Sequence, residues 1–234
     1  MHNGQSFYLP FEHTLCISNA WNWFQKKELT PVRDLDELEE LFYWCTDNDN
    51  TLVVNVPADQ TGRIREHEAN TVIALGKRLG LRKGMPLPKN GSFLSLQSPA
   101  FASSVYENNE SLYGAKYATD GGMQTRWAAA DTTAILTVPI DNSKPFNKIV
   151  IFECCDIKNG DDGFSNYRTN RIQSYRIEIE KNGQWETIYI SDEPMRDCKV
   201  IRFPYPYQTS HVRLNVTKAL APPSVYEFNV IYKE

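Results

Sequence analysis

The sequence predicts an α/β layer followed by an all-β domain, on three observations. The first 80 residues alternate apolar, strand-length runs with helical periodicity. From residue 101 onward, short strand-like runs recur between turn residues. Between them, Arg82 to Pro99 carries Gly84, Pro86, Pro88, Gly91 and Pro99 and shows no helical period. The chain is therefore divided into an α/β part over 1–84, a linker over 85–100 and a β-sandwich over 101–234.

In the α/β part, His13 to Ser18 is a short β-compatible run. Asp34 is an N-cap residue with Glu37 three positions on, the spacing of a capping box. Leu35, Leu38, Leu41, Phe42 and Cys45 then fall on one helical face, and Asp47 to Asn50 ends the helix. Thr51 to Val56 is apolar without alternation, as in a strand covered on both faces of a parallel sheet. A second helix follows, with Ala69, Val72, Ile73, Gly76 and Leu79 expected to face inward and Gly80 at its C-terminal end. Two such units leave sheet edges and a helix face uncovered, so this part needs a cover from elsewhere.

Beyond the linker, strands are expected at 135–140, 148–152, 174–180, 187–190, 200–203, 211–217 and 227–232. Residues 174–180 and 211–217 alternate apolar and polar positions, and Asn182-Gly183 is a hairpin turn dipeptide. Seven short strands with turns between them predict a sandwich.

Composition narrows the function. The 234 residues carry a net charge of −4 with no basic cluster, so nucleic acid is not an expected partner. No apolar run reaches the ~18 residues of a membrane span, so no membrane is expected either. Residues 1–5 are polar and hold no signal-peptide core. The five cysteines lack metal-site spacing and are read as free, mostly buried thiols. Aromatic residues make up 12%, which suits both sugar stacking and ordinary packing.

Three stretches resemble the C-terminal portion of glycoside hydrolase family 29, the α-L-fucosidases. They are Pro10-Phe11-Glu12 through Trp21-Asn22-Trp23-Phe24, the run Thr51 to Ile64, and Phe152-Glu153 with Arg171-Ile172 and Tyr175, joined by Ala221-Pro222-Pro223 before Glu227-Phe228. Ala118 to Trp127 (ATDGGMQTRW) resembles the discoidin-like, coagulation-factor type C modules of family 32 carbohydrate-binding modules. The resemblance implies the last two βα units of a (β/α) barrel followed by a discoidin-like β-sandwich. It also implies a parent enzyme of the kind usually secreted, periplasmic or lysosomal.

By that resemblance, Glu12 matches the acid/base position of part of the family. At the C-terminal end of a barrel strand, beside Phe11, it would be desolvated and raised in pKa. His13 and Trp21 would contact sugar, with structural roles open to both; Trp23 is read as a packing residue. Asn55 and Asp59 would lie at the mouth of the last strand, although loop capping explains Asp59 equally well. The family's Asp nucleophile has no counterpart here, and retaining hydrolysis needs two carboxyl groups. In the sandwich, Asp120, Thr125 and Glu227 match a structural Ca²⁺ site, while an ordinary Asp-Gly-Gly loop is the alternative. No other cofactor is expected. The polar loop 156–170 offers Phe164, Tyr167 and Arg168 as contacts, with Glu153 and Arg171 read as the ion pair fixing it. The reading is the C-terminal part of an α-L-fucosidase that is inactive alone. The alternative is a non-catalytic carbohydrate-binding module. Partners are fucosylated or other glycans and a separate chain carrying the missing N-terminal barrel segment.

Overall fold

The computed structural model describes residues 9–25, 31–159 and 166–233, apart from the side chains of Asn159, Asn166 and Tyr167. It divides into two compact units. One holds the described residues up to Asn90 with 158–159 and 166–167, and the other holds Gly91–Ile157 and the chain from Arg168.

The first unit is built on a two-stranded parallel sheet. Strand β1 (Glu12–Cys16) pairs with β2 (Thr51–Asn55) in the register Glu12↔Thr51 through Cys16↔Asn55. Between them runs α1 (Leu35–Thr46), and after β2 comes α2 (Glu66–Arg78). Asp34 caps α1 by accepting the Asp36 amide at 2.9 Å, while the Glu37 carboxylate takes the Arg33 guanidinium at 2.6 Å. The predicted α1 face packs as expected: Leu38 is fully buried, and Leu35, Leu41 and Phe42 join a core of Leu15, Ile17, Tyr43, Leu75 and Leu79.

Helix α2 departs from its predicted face. Its buried stripe is Glu68, Leu75 and then Leu79, whereas Val72 is 39% and Ile73 53% exposed. Helical periodicity offered two overlapping stripes, and the one chosen contains a carboxylate, Glu68, lying 3.6 Å from the Arg65 guanidinium. Arg78 at the other end bridges back to Asp36 (2.5 Å) and Glu39 (3.0 Å), which fixes α2 against α1.

The second unit is a two-sheet antiparallel sandwich. The elements from Gly91 onward are β3 (Ser92–Phe93), β4 (Phe101–Ala102), α3 (Glu110–Tyr113), β5 (Trp127–Ala128), β6 (Ala134–Pro139), β7 (Phe146–Glu153), β8 (Asp156–Asn159), β9 (Asn166–Thr169), β10 (Ile172–Lys181), β11 (Gln184–Ser191), β12 (Cys198–Tyr207), β13 (His211–Ala219) and β14 (Ser224–Tyr232). One sheet has the order β11-β10-β13-β6-β4; the other runs β12-β7-β14-β3 with β5 on β14, while β8 and β9 pair with each other.

Alternation explains the layers. In β6 the pattern is inward at Ala134, Leu136 and Val138, and in β13 at Val212, Leu214 and Val216. These meet Ile149, Ile151, Phe228 and Val230 of the facing sheet, with Trp127 completely buried among them. All seven expected strands are present. Strand β3 lies within the stretch read as a linker, because its two residues pair with Ile231 and Tyr232 of β14. The Asn182-Gly183 turn has φ of 53° and 75°, the left-handed pair that joins β10 to β11 with matching twist. Among the described residues no helix is long and apolar enough to cross a membrane.

Candidate functional site

In the first unit the structure moves the expected acid. Glu12 opens β1 instead of closing it, is exposed, and accepts a 2.8 Å bond from the Thr14 hydroxyl. Sites in parallel α/β sheets form beyond the C-terminal ends of the strands. Glu12 is thus at the opposite edge, without the desolvated setting the resemblance implied. Strand alternation turns His13 the other way, edge-on to Trp44 at 5.6 Å, and Phe11 contacts the same ring at 5.6 Å. Burial, then the Arg33 charge, lowers the His13 pKa and favours the neutral imidazole.

The C-terminal edge carries Trp21, 48% exposed, together with Trp23 (37%) and Phe24 (64%). Trp23 packs against the Phe24 ring at 6.0 Å. Their loop is held from below. Buried Asn22 donates to Ser18 Oγ at 2.8 Å, Arg65 Nη2 donates to the Asn22 and Gln25 carbonyls, and the Phe24 amide donates to Ala58 O at 2.7 Å. Asp59 closes its own loop by accepting from the Thr61 hydroxyl and amide (both 2.7 Å) and from the Arg63 amide. The Thr61 bonds hold its carboxyl below the usual range.

In the second unit the three residues expected at a cation site do come together. Asp120 accepts the Gly122 amide at 2.9 Å through Oδ1 and the Thr125 hydroxyl at 2.6 Å through Oδ2. Glu227, from the distant strand β14, accepts the Gly121 amide at 2.8 Å through Oε1. Gly121 has φ +84°, and a Cβ on Gly122 would stand 3.1 Å from Asp120 Oδ1 and 3.2 Å from Thr125 Oγ1. The turn therefore tolerates little but glycine. Glu227 is 2% exposed, and its Oε2 is buried and meets no donor among the described residues. Burial pushes its pKa up to about 8, the Gly121 amide opposes the rise, and the Asp120 charge adds to it.

A buried, unsatisfied carboxylate oxygen beside a second carboxylate is a setting a hard cation would relieve, so the residues fit Ca²⁺. Among the described residues no three His, Cys, Asp or Glu side chains gather at a metal distance. Asp120, Glu227 and the Thr125 hydroxyl would hold the ion with main-chain carbonyls or water completing the shell. The ion would supply positive charge that locks the turn.

At the end of the sandwich reached by Glu153 of β7, a polar network anchors both sides of the loop between β7 and β10. Glu153, 3% exposed, accepts the Arg171 and Ile172 amides at 2.7 Å each and Asn170 Nδ2 at 3.0 Å. Burial is the larger effect and pushes its carboxyl up to about 7. The expected Glu153–Arg171 ion pair is thus replaced by main-chain bonds, and the Arg171 guanidinium instead pairs with Asp156 at 2.5 Å and donates to Pro222 O.

Cys155 donates to Asp197 at 2.8 Å, and Arg168 reaches the same carboxylate at 2.5 Å. Arg168, expected at a sugar, has its charge matched by Asp197. The side chain of Tyr167 and the whole of Phe164 lie outside the described residues. Trp44, Asp197 and Asn170 were not singled out from the sequence; each acts through a partner remote in the chain.

A two-sheet antiparallel sandwich with a glycine-bound carboxylate turn defines the second unit as a discoidin-like β-sandwich domain. The F5/8 type C domain family model matches residues 99–228, more than half of the chain, and the chain belongs to that family. No curated protein matches.

Among solved structures, a point variant of chitosan-binding module 1 from a chitosanase/glucanase of Paenibacillus sp. IK-5 is 22% identical; the match covers 61% of this chain and 99% of that one with a TM-score of 0.50. The family 32 module of Clostridium perfringens NanJ, solved with galactose, is 19% identical over 59% of this chain and 97% of that chain, TM-score 0.47. A structure described as a putative α-L-fucosidase from Bacteroides thetaiotaomicron is 18% identical over 100% of this chain, TM-score 0.47; this chain spans 47% of its length.

Proposed function

We propose that this chain is a carbohydrate-binding module that takes glycans at the loop end of its sandwich. The observation that carries the reading is the Glu153 network: a buried carboxylate and three N–H donors fix the neck of the loop between β7 and β10. Asn170, held by that network at the described neck of the loop, is pre-organised for hydroxyl recognition. The shared fold with a chitosan-binding module supports the same class of ligand. Asp120, Thr125 and Glu227 hold a structural Ca²⁺.

The test is calorimetric titration of the chain with chitotriose, galactose and fucosylated oligosaccharides, with Ca²⁺ and with chelator. Saturable binding that Asn170→Ala weakens is the expected result. Heats indistinguishable from dilution for every saccharide would reject the reading.

A second reading is favoured by the parallel β1–β2 pair and its two helices: the chain is the C-terminal part of a fucosidase-like hydrolase, with residues 1–84 closing a barrel and 85–100 linking it to the sandwich. Trp21 then lines a fucose site at the C-terminal edge, His13, packed on Trp44 near the other end of β1, has a structural role, and an N-terminal barrel segment on another chain supplies the nucleophile. Glu12, at the other edge, does not suit the acid/base role. On this reading the chain alone leaves a chromogenic fucoside intact, and turnover abolished by Glu12→Gln would overturn that inactivity.

A further inference from the structure

Arg126 stands between Thr125, whose hydroxyl closes the Asp120 turn, and Trp127, buried in the core. Trp127 pairs with Val225, both pointing inward, so Arg126 is turned to the outer side, where its charge acts on the half-buried Tyr226. The guanidinium lies over the Tyr113 ring, 5.1 Å from its centroid. Tyr113 in turn meets Tyr106 edge-on at 5.4 Å, and Tyr106 is 41% exposed. Between these two tyrosines, Glu107 and Asn108 are consecutive non-glycine residues at φ 53° and 54°, in the left-handed region.

Arg126 offers its edge differently from six other arginines. Arg33, Arg65, Arg78, Arg168, Arg171 and Arg213 each have a carboxylate within 3.6 Å. Arg126 is half-buried, and among the described residues its N–H groups meet neither a carboxylate nor any other acceptor. A guanidinium with one face on an aromatic ring and its donor fork unmatched is shaped for a planar or tetrahedral anion.

We propose that Arg126, with Tyr113, Tyr106 and Tyr226, forms a subsite for an acidic sugar, its carboxylate or sulfate ester held by the guanidinium fork and its ring lying against a tyrosine. This rests on the carbohydrate-binding reading and names its ligand class. An anionic membrane is the poorer fit, because surface binding adds up over several basic residues, whereas this site has one in a chain of net charge −4.

The experiment titrates the full chain, in Ca²⁺, with trigalacturonate, a sulfated disaccharide and neutral chitotriose. It compares the parent with Arg126→Ala, Arg126→Lys and Tyr113→Ala, and a thermal melt of each variant establishes folding. An acidic saccharide is expected to bind at least ~10-fold tighter than chitotriose. Arg126→Ala is expected to weaken it roughly 10- to 100-fold, the worth of one charge-assisted hydrogen-bonded pair. Arg126→Lys keeps only part of the affinity because a point charge does not reproduce the fork. Chitotriose binding stays unchanged throughout. The carboxylate and sulfate arms identify the anion.

Chitotriose binding without preference for either acid overturns the subsite and leaves the module intact. Failure of every saccharide, with or without binding to phosphatidylserine vesicles, rejects both. Should Arg126→Ala not fold, acid affinity undiminished in Arg126→Lys overturns the proposal by itself.

Discussion

Glu153 shows how much one carboxylate can hold at the residue scale. Two main-chain amides and one side-chain amide end on it in a buried position. Glu153→Ala strands the Arg171 and Ile172 N–H groups away from water, and each such loss costs about 1–3 kcal/mol. A drop of about 3 kcal/mol in urea-denaturation stability is expected, with the β7–β10 loop becoming sensitive to protease. Asp156→Asn, which weakens an ion pair whose acid is 48% exposed, should cost less than ~1 kcal/mol. Equal losses in the two variants would contradict the network. Little of this was legible beforehand, because a main-chain N–H has no signature in a sequence; the Arg171 side chain was the visible partner and drew the wrong bond. Asp120 and Thr125 were legible, being five residues apart in a glycine turn, whereas Glu227 lies 106 residues from Gly121 and was reached through resemblance.

The thiols can be argued at the same scale. Cys16, Cys45, Cys154 and Cys198 are buried, and burial pushes Cys45 up to about 11. Cys155 is half-buried, and its thiol is raised by burial and by donation to Asp197. Thiolate is the reactive form, so the native protein at neutral pH should resist a disulfide reagent. A colorimetric titration is expected to count fewer than one fast thiol when folded and all five after unfolding. Rapid modification of Cys155 in the native state would mean that its bond to Asp197 is not maintained.

At the scale of elements, periodicity predicted what was long and missed what was short. Strands β10, of ten residues, and β13, of nine, announce themselves by alternation. Strands β3, β4 and β5 have two residues each, too few for any period, and owe their state to partners far along the chain. Helix α2 failed differently, since its buried stripe runs through Glu68, which an apolar count discards.

Strand β3 can be tested against the hairpin turn. Gly183 has φ +75° in open space, so Gly183→Ala is strained by conformation alone, about 1–2 kcal/mol. Gly91 has φ +136°, and its Cβ would sit 2.4 Å from the Tyr232 carbonyl oxygen, a backbone atom that cannot move aside cheaply. Gly91→Ala should therefore lower the melting temperature more than Gly183→Ala and loosen amide protection at Ile231 and Tyr232. The reverse ranking would mean that β3 does not seal this edge.

For the molecule as a whole, the two buried carboxylates set the pH response. Glu227 and Glu153 have ordinary values near 4.5 when unfolded and about 8 and 7 when folded. Between those limits the folded state retains protons that the unfolded state has released, so stability falls as pH rises. The contribution is complete below pH ~4.5 and lost by pH ~8, on the order of several kcal/mol for the two groups together. Other carboxylates give the opposite slope at lower pH, so the decline should stand out between pH ~5 and 8.

Glu227→Gln removes the larger component and should flatten that decline, making the variant more stable than the parent at pH 8 in chelator. Calcium reverses the order. A cation at Asp120 and Glu227 needs the deprotonated carboxylate, so it binds better as pH rises, and at 100 times its dissociation constant it adds about 2.7 kcal/mol. In millimolar Ca²⁺ the parent should thus overtake Glu227→Gln at pH 8, and thermal melts of both proteins across pH, with and without the ion, decide it. A parent curve that neither declines in chelator nor rises with Ca²⁺ would mean that the unsatisfied Glu227 oxygen is relieved by some other group.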